Sequence, residues 1–172
     1  MKDILKGELV RLSAADPQEL GKAYSVWNND SELTRLFDAR SSRLISAKAI
    51  AKNIEKYIGE DSPAQYFFTI RRLGDNRLLG DIGLDVINNW GSRDSFVGLG
   101  ICDRKDWGRG YGTDAMKILL RYAFVEINLG ELQAHHLAPN PPTIRVSDGH
   151  RQLEVLGEVT PDSLKLLPLK ES

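Results

Sequence analysis

The spacing of apolar residues changes several times along this chain, and each change predicts a different kind of element. In the first third of the chain, apolar residues recur at intervals of three and four, which is typical of helices. Asp16 and Pro17 form a helix-start signal, because aspartate caps a first turn and proline suits the first helical position. The predicted elements are a strand over residues 9–12 and helices over residues 20–27, 31–37 and from the cap Ser46 to Gly59, the last with Ala49, Ile50, Ile54, Tyr57 and Ile58 on its apolar face.

The middle of the chain changes to strand character. Residues 66–70 are aromatic and β-branched, as strands favour, and Gly74, Asp75 and Asn76 make a tight turn into the next apolar run. One strand, several helices and then a group of antiparallel strands predict an α+β fold rather than a regular βαβ alternation. The predicted elements are strands over residues 66–70, 78–86 and 94–102 with a polar turn over 88–93, a helix over 114–129 with Asp114, Lys117, Arg121 and Asn128 on its polar face, and a strand over 132–137.

Length and charge limit the classes of protein that fit. With 172 residues, the chain is expected to form a single domain over residues 1–172, long enough to bury a core. The net charge is −1, so nothing indicates the clustered basic face that a nucleic-acid site requires, and no nucleic-acid partner is expected. One cysteine suits a reducing cytosol, and no apolar stretch approaches the roughly 20 residues of a membrane span. The sequence therefore predicts a cytoplasmic domain with no membrane partner.

The most informative stretch is residues 107–113, which lies between a predicted strand and the predicted long helix. Its glycines Gly108, Gly110 and Gly112 alternate, and a glycine has no Cβ atom to keep a bulky anion from the backbone. The first turn of a helix also offers unpaired N–H groups and the positive end of the helix dipole. Together these features predict a cradle for a pyrophosphate group.

Two nucleotide-binding motifs fit this glycine run poorly. A P-loop requires four residues between its first two glycines and then a lysine followed by serine or threonine, and no such lysine is present. A dinucleotide fingerprint requires glycine spacings of one and two after the first strand of a βαβ unit, whereas the spacings here are one and one. A plain strand-to-helix turn stays open on the glycines alone.

The block over residues 99–115 resembles the acyl-CoA motif of the GCN5-related N-acetyltransferases (GNAT family). It is most similar to the branch that includes the ribosomal-protein alanine N-acetyltransferases. Gly110 and Gly112 take the two small positions of the motif, and Trp107 takes the place of its glutamine or arginine. Two further stretches are similar to that branch, residues 5–12 to its first strand and residues 27–30 to its tryptophan-asparagine-aspartate helix end.

The resemblance covers roughly residues 4–140 and implies a GNAT acyltransferase fold, a mixed and mostly antiparallel sheet flanked by helices. It implies that acetyl-CoA lies where two neighbouring strands separate, with its diphosphate on the amides of residues 108–113. Arg109 and Arg104 would balance the phosphate charge. The implied cofactor-binding residues are Gly100, Ile101, Cys102, Gly108, Arg109, Gly110, Tyr111, Gly112, Thr113 and Asn140.

The implied activity is transfer of an acetyl group from acetyl-CoA to a primary amine. The resemblance to the ribosomal-protein branch favours a protein N-terminal amine as acceptor. A small-molecule amine or an amino sugar is the alternative. The family's reaction is direct attack of the amine on the thioester, so a base for the ammonium and an acid for the leaving thiolate are required.

Two aspartates are candidates for the base. Period-two geometry puts Asp94 on the same strand face as Phe96, where many members of the family carry glutamate. Asp85, on the preceding strand, is the second candidate. A solvated carboxylate without a catalytic role is the alternative interpretation of both residues.

The single cysteine and the paired histidines do not predict a reactive or metal-binding site. Cys102 lies in an apolar strand with no histidine near it in sequence, so a buried structural thiol is expected. His135 and His136 point to opposite faces of a strand, which is wrong for joint metal ligation. No metal site is therefore predicted.

The chain after Asn140 departs from the family pattern, throughout residues 145–172. No tyrosine follows Tyr122, so the tyrosine that usually protonates the leaving thiolate in the family is missing. Divergence and a shifted reading frame are both open explanations, and the alternative to an active enzyme is a CoA-binding protein with impaired catalysis. If the final strands are missing, the sheet has an unpaired edge that can pair with another chain, so a homodimer is the expected assembly.

Overall fold

The computed structural model describes residues 3–38, 43–59, 65–89 and 92–127 together with four two-residue strands later in the chain. Its helices are α1 (Pro17–Trp27), α2 (Ser31–Asp38), α3 (Ala47–Gly59) and α4 (Tyr111–Arg121), with a 3₁₀ turn at Arg104–Asp106 and a π-helical segment at Tyr122–Glu126. Its strands are β1 (Val10–Ala14), β2 (Gln65–Arg72), β3 (Leu78–Asn89), β4 (Ser92–Ile101), β5 (Gln133–Ala134), β6 (Val146–Ser147), β7 (Gln152–Leu153) and β8 (Leu164–Lys165).

Within the described residues, a mixed sheet of six strands forms the centre of the fold, in the order β1-β2-β3-β4-β5-β8. Strands β1 to β4 are antiparallel neighbours, β4 and β5 are parallel, and β5 and β8 are antiparallel. Strands β6 and β7 pair separately. The prediction of an α+β fold with a mostly antiparallel sheet is confirmed.

The two faces of this sheet are covered by different helices, because side chains alternate between faces along each strand. Helix α4 covers one face, which we call the α4 face. Helices α1 and α3 cover the other, the α1/α3 face, where Glu19 of α1 forms an ion pair with Arg71 of β2. The apolar core lies on the α4 face and contains Val10, Leu12, Ile70, Leu79, Ile82, Leu84, Val97, Ala115, Met116, Ile118, Leu119, Leu120 and Ala123.

The predicted start of α1 is confirmed in detail. The side-chain oxygen of Asp16 accepts hydrogen bonds from the N–H groups of Gln18 (2.8 Å) and Glu19 (3.3 Å). Pro17 occupies the first helical position. This cap satisfies donors that a helix start would otherwise leave unpaired.

The predicted apolar face of α3 is only partly right. Ser46 caps the helix as expected, since its Oγ accepts from the N–H of Ala49 (3.2 Å). Ile50 is buried, but Tyr57 is 37% exposed and Ile58 is 40% exposed. The reason is that α3 contacts α1 through its N-terminal half, whereas its C-terminal half lies at the margin of the sheet, where the ring of Tyr57 meets an aromatic ring of β2 edge to face.

Two predicted boundaries are wrong, and a third is described only in part. Helix α4 begins at Tyr111 instead of Asp114, because Gly110 is its N-cap. The predicted polar turn over residues 88–93 mostly belongs to β3 and β4, where Asn88 pairs with Arg93. Backbone pairing across a hairpin keeps polar residues in strands, and side-chain polarity alone does not reveal it. Of the predicted strand over residues 132–137, Gln133–Ala134 is a strand and the other positions lie outside the described residues.

The prediction that Asp114 belongs to a solvated polar face is also wrong. Asp114 is 8% exposed, and its carboxylate accepts hydrogen bonds from the N–H groups of Glu8 (3.3 Å), Leu9 (2.8 Å) and Val10 (2.9 Å). The segment before β1 crosses the start of α4 and presents these donors to the helix. Arg121, seven residues further along the same side of α4, donates to a backbone carbonyl of that segment, Lys6 O, at 3.0 Å.

Replacing the Asp114 carboxylate is expected to destabilise the fold. Asp114→Ala leaves three backbone N–H groups without an acceptor in a site that is closed to most solvent, so the free energy of unfolding should fall by about 2–4 kcal/mol. Urea unfolding followed by circular dichroism measures this loss. Lys117→Ala on the same helix is the matched control: Lys117 is exposed, and we expect a change within about 0.5 kcal/mol. Equal losses in the two variants would contradict the assigned role of Asp114.

Candidate active site

The glycine-rich loop ends in an uncapped helix start. Gly108 and Gly110 have φ angles of 70° and 81°, in the left-handed region that favours glycine. Gly110 is the N-cap of α4 and provides no side-chain hydrogen bond. The first backbone bond of the helix runs from the N–H of Asp114 to the carbonyl of Gly110 (2.9 Å), so the amides of residues 111–113 stand before it. Such amides, together with the helix dipole, suit a phosphate group.

The three predicted glycines do different things. A Cβ atom at Gly108 would meet no described atom within 4 Å, so the outside of the loop is open there. A Cβ atom at Gly112 would lie 3.4 Å from Leu99 Cδ2 and 3.6 Å from Ile101 Cγ1, both on β4. Gly108 and Gly110 therefore shape the loop, while Gly112 lets the first turn of α4 pack against β4.

The two arginines predicted to balance phosphate charge have different surroundings. Arg109 is exposed beside the helix start. Arg104 forms ion pairs with Asp30 and Glu32 at the start of α2, and its guanidinium lies 6.0 Å from the ring centroid of Trp107. The hydrogen bond from Arg104 holds the pKa of Asp30 well below its usual range. Arg104 is thus engaged by α2, and Arg109 is the arginine of the loop whose charge faces solvent.

Strand β4 has neighbours on both sides. Along its whole length β4 pairs with β3, and on its other side, which we call the β5 side, parallel pairing with β5 is described at Phe96 and Val97. The last residues of β4 lead towards the glycine-rich loop, and the first turn of α4 packs against Leu99 and Ile101 at Gly112.

The register shows which amides of β4 face the β5 side. The N–H of Cys102 donates to the carbonyl of Leu79 on the β3 side (3.0 Å). Because hydrogen-bonding direction alternates along an antiparallel strand, Gly100 also pairs toward β3, and Leu99 and Ile101 direct their backbone groups to the β5 side. The Ile101 carbonyl accepts from the indole N–H of Trp107 (2.6 Å).

The predicted cofactor-binding residues of β4 therefore differ in the direction of their backbone amides. Ile101 directs its amide to the β5 side, and so does Leu99, which was not among the residues predicted from the sequence. Gly100 and Cys102 use their amides within the sheet. The direction of a backbone amide depends on strand register, and the register cannot be read from the residue types. Asn140 lies outside the described residues.

A row of polar residues crosses the α1/α3 face of β3. Asp85 accepts a hydrogen bond from the hydroxyl of Tyr57 on α3 (3.0 Å). Burial, and after it this hydrogen bond, raises the pKa of Tyr57 to about 12. Asp81, four residues earlier and on the same face, accepts a hydrogen bond from the hydroxyl of Tyr24 on α1. Asp94, the other predicted base, pairs across the hairpin with Ile87, and its side chain lies outside the described ones.

Asp81 and Tyr24 were not predicted as site residues. Asp81 is 6% exposed, and burial raises its pKa to about 6. Burial, followed by the charge of Asp81, raises the pKa of Tyr24 well above its usual range. The available signal was a single aspartate within the apolar run of residues 78–86, but its partner on α1 could not be identified without the packing.

Cys102 is a buried thiol, as predicted. It is 3% exposed, and burial raises its pKa well above the usual value, so the sulfur is protonated and unsuited to nucleophilic attack. Among the described residues, no group of three or more histidine, cysteine or acidic side chains is arranged to hold a metal ion. The described helices include none that is long and apolar enough to cross a membrane.

Comparison with known proteins identifies the family. The model of the acetyltransferase (GNAT) domain matches residues 9–148. This chain belongs to the GNAT acetyltransferase family. The probable N-acetyltransferase YjcK of Bacillus subtilis (strain 168) is 23% identical over 145 residues, which span 83% of this chain and 80% of that protein.

Solved GNAT structures share the fold. The ribosomal-protein-S5-alanine acetyltransferase of Vibrio fischeri superposes with a TM-score of 0.64 and 14% identity, covering 79% of this chain and 75% of that one. Spermidine N-acetyltransferase of Vibrio cholerae, in complex with CoA and spermine, gives a TM-score of 0.63 and 18% identity, covering 91% of this chain and 92% of that one. The predicted family and fold are confirmed.

The family uses acetyl-CoA, so this GNAT chain is an acetyl-CoA-dependent acyltransferase. Its residues fit that cosubstrate. Left-handed Gly108 and Gly110 lead into uncapped amides, and the first turn of α4 packs beside Leu99 and Ile101 of β4. When bound there, acetyl-CoA supplies the activated acetyl group as a thioester.

The raised pKa of Asp81 predicts a characteristic pH dependence of stability. The folded protein holds a proton on Asp81 up to about pH 6, whereas the unfolded chain releases it near its ordinary pKa of 3.8. Between these values the folded state binds more protons, so the contribution of Asp81 to stability falls as pH rises.

Asp81→Asn should remove this part of the pH dependence. Between pH 4 and pH 7, the wild-type protein should lose about 2–3 kcal/mol more of its free energy of unfolding than the variant. Urea unfolding of both proteins at both pH values measures this difference. The other titrating groups are shared by the two proteins, so their contributions cancel in the comparison. Parallel pH dependences would show that Asp81 has an ordinary pKa in the folded protein.

Proposed function

We propose that this GNAT protein transfers an acetyl group from acetyl-CoA to a primary amine, with the cosubstrate on the β5 side of β4. The observation that carries the proposal is that β4, whose Leu99 and Ile101 direct their backbone groups away from β3, is followed by the loop with left-handed Gly108 and Gly110. A helix start that suits a phosphate group therefore lies close to backbone groups that suit an extended ligand. An elongated ligand with a diphosphate at one end matches this arrangement.

The proposed binding mode follows the two halves of the site. The diphosphate lies on the amides of Tyr111, Gly112 and Thr113, with the exposed Arg109 contributing positive charge. The pantetheine follows β4 along Leu99 and Ile101. An amide preorganised toward the thioester oxygen stabilises the charge that develops during attack, typically by a factor of about 10²–10³ in rate. Asn140 stays a predicted contact from the resemblance.

The acceptor is proposed to approach from the α1/α3 face. Gly98 is exposed, and a Cβ atom there would meet no described atom within 4 Å. Asp85 stands on the same face of neighbouring β3 and attracts a cationic amine. We propose that Asp85 removes the first proton of the bound ammonium through water. Asp94, the first candidate from the sequence, is the alternative for this role, because its side chain lies outside the described ones.

The proposed acceptor is a protein N-terminal amine, with a small-molecule amine or amino sugar as the alternative. Solved structures with the same fold support either class, since they include a ribosomal-protein-alanine acetyltransferase and a spermidine acetyltransferase. A cytoplasmic location and a homodimer are proposed on the sequence grounds given above. A CoA-binding protein with impaired catalysis is the second candidate function, favoured by Phe96 at the usual base position.

Ligand-induced stabilisation tests the cosubstrate. A ligand that binds only the folded state raises the melting temperature, so acetyl-CoA and CoA should do so while ATP and NAD at equal concentration should not. Stabilisation by ATP or NAD alone would contradict the proposed site.

A glycine variant tests the loop itself. Gly110→Ala forces a side chain into φ 81° and 3.3 Å from Leu9 Cδ1, so affinity for acetyl-CoA should fall about tenfold or more. Gly74→Ala is the matched control, because a Cβ atom there meets nothing described within 4 Å and its φ is not left-handed. Isothermal titration calorimetry measures both affinities. Equal affinities would remove the loop from the binding site.

Acceptor-dependent release of the CoA thiol tests the reaction. The panel consists of peptides with free N-termini, the same peptides with blocked N-termini, spermidine and an amino sugar. Thiol release with free but not blocked peptides would support the proposed acceptor. Tight acetyl-CoA binding without thiol release for any amine would instead support the CoA-binding protein.

A further inference from the structure

A buried ion pair joins the glycine-rich loop to the turn between β2 and β3, and it has no role in the site described so far. Arg77, the residue before β3, donates to a carboxylate oxygen of Asp106. The Asp106 side chain is 1% exposed, whereas that of Arg77 is 30% exposed. Among the described residues, the other carboxylate oxygen of Asp106 is buried without a hydrogen-bond partner. The place of this carboxylate is therefore tied to Arg77.

The ion pair lies close to the left-handed glycines. Asp106 is the last residue of the short 3₁₀ turn that follows β4, and its N–H donates to the carbonyl of Asp103 (2.9 Å). Gly108, with a φ angle of 70°, follows two residues later. The pair therefore fixes the point at which the chain enters the glycine-rich loop.

The other end of the loop is attached to the same neighbours. The Asp114 carboxylate accepts a hydrogen bond from the N–H of Leu9 (2.8 Å). The carbonyl of Leu9 accepts in turn from the N–H of Leu73, in the turn between β2 and β3 (3.0 Å). Two buried carboxylates, Asp106 and Asp114, thus hold the two ends of residues 107–113 against pieces of backbone that are bonded to each other.

The middle of the loop is open. A Cβ atom at Gly108 would meet no described atom within 4 Å, and Arg109 is exposed. A glycine has more accessible backbone conformations than other residues, so the arrangement of this stretch depends on how its ends are held. A site that is already arranged for its ligand loses less conformational entropy on binding, and its affinity is higher for that reason.

We propose that Arg77 is a positioning residue for acetyl-CoA, whose ion pair with Asp106 holds the glycine-rich loop in the arrangement that receives the diphosphate. The inference rests on the proposed function, because it takes this loop as the diphosphate site. Arg77 acts through Asp106 and increases the fraction of protein molecules whose loop is ready to bind.

Asp106→Ala separates positioning from simple charge attraction, because the two effects have opposite signs. Acetyl-CoA is an anion, so removal of a nearby negative charge would by itself tighten its binding. Loss of the anchor should instead weaken binding: if the fraction of correctly arranged loops falls to about a tenth, the apparent Kd rises about tenfold. Isothermal titration calorimetry measures this Kd, and a stoichiometry near that of the wild type shows that the variant is folded.

Three further variants test the pair itself. Arg77→Met should weaken acetyl-CoA binding by a similar factor, and the double variant with Asp106→Ala should bind no more weakly than the weaker single variant, because both changes remove one contact. Arg77→Lys keeps a cation opposite Asp106, and its Kd should stay within about threefold of wild type. Glu19→Gln is the matched control, since it breaks the ion pair with Arg71 on the α1/α3 face and should leave the Kd unchanged.

The kinetic effect should appear in KM and not in kcat. Saturating acetyl-CoA orders the loop with or without the anchor, so KM for acetyl-CoA should rise in Asp106→Ala while kcat stays within about twofold of wild type. S-acetylpantetheine, a thioester donor that lacks the diphosphate, is the matched substrate. Its kcat/KM should be the same in both proteins, whereas a general loss of folded enzyme would lower kcat/KM for both donors equally.

The results distinguish a failure of this inference from a failure of the proposed function. If the wild type binds acetyl-CoA and Asp106→Ala binds it as tightly or more tightly, the inference is wrong and the proposed function stands. The same holds if Glu19→Gln weakens binding as much, or if both donors lose equally. If the wild type binds acetyl-CoA but releases no thiol with any amine, the proposed reaction fails and calorimetry still decides this inference. If the wild type does not bind acetyl-CoA, both fail. Should Arg77→Met not fold, Asp106→Ala carries the test.

Discussion

The carboxylate of Asp114 fixes the relation between the start of the chain and the start of α4. It accepts the N–H groups of Glu8, Leu9 and Val10, so the segment that leads into β1 is held against the first turn of the helix. Hydrogen bonds to a charged acceptor are about twice as strong as neutral ones. The glycine-rich loop lies between these two pieces of backbone, and Leu9 packs close to Gly110. The shape of the phosphate cradle therefore depends on a contact that has no part in binding phosphate.

A second set of contacts joins the same loop to the other side of the molecule. Arg104 pairs with Asp30 and Glu32 at the start of α2, and Trp107 donates its indole N–H to the carbonyl of Ile101. Surface ion pairs contribute little stability each, but these pairs determine where α2 lies. The loop proposed to hold acetyl-CoA is thus attached to the start of α2.

The two faces of the sheet differ in the polarity of the side chains that they carry. The α4 face buries an apolar core, where each fully buried leucine or isoleucine contributes about 1.5–3 kcal/mol. The α1/α3 face instead carries Asp81 and Asp85, each bonded to a tyrosine from a different helix, and the glycines Gly98 and Gly100. Burial raises the pKa of Asp81 to about 6, so its carboxylate lowers the stability of the fold at neutral pH.

The sequence by itself determined the features that depend on neighbours along the chain. The Asp16–Pro17 helix start, the hairpin strands and the glycine run with its one-and-one spacing follow from local geometry, and that run together with its flanking residues was enough to indicate the family. Only the tertiary structure decided which polar residues meet. Asp114 was expected on the polar face of its helix and is instead buried against the segment that leads into β1. Asp81 was not predicted as a site residue, because its partner Tyr24 is identified only by the packing of α1 on the sheet. Strand register likewise decided that Leu99 and Ile101, rather than Gly100 and Cys102, direct their backbone groups away from β3. These outcomes depend on pairings between residues that are distant along the chain, and such pairings leave no mark in local residue patterns.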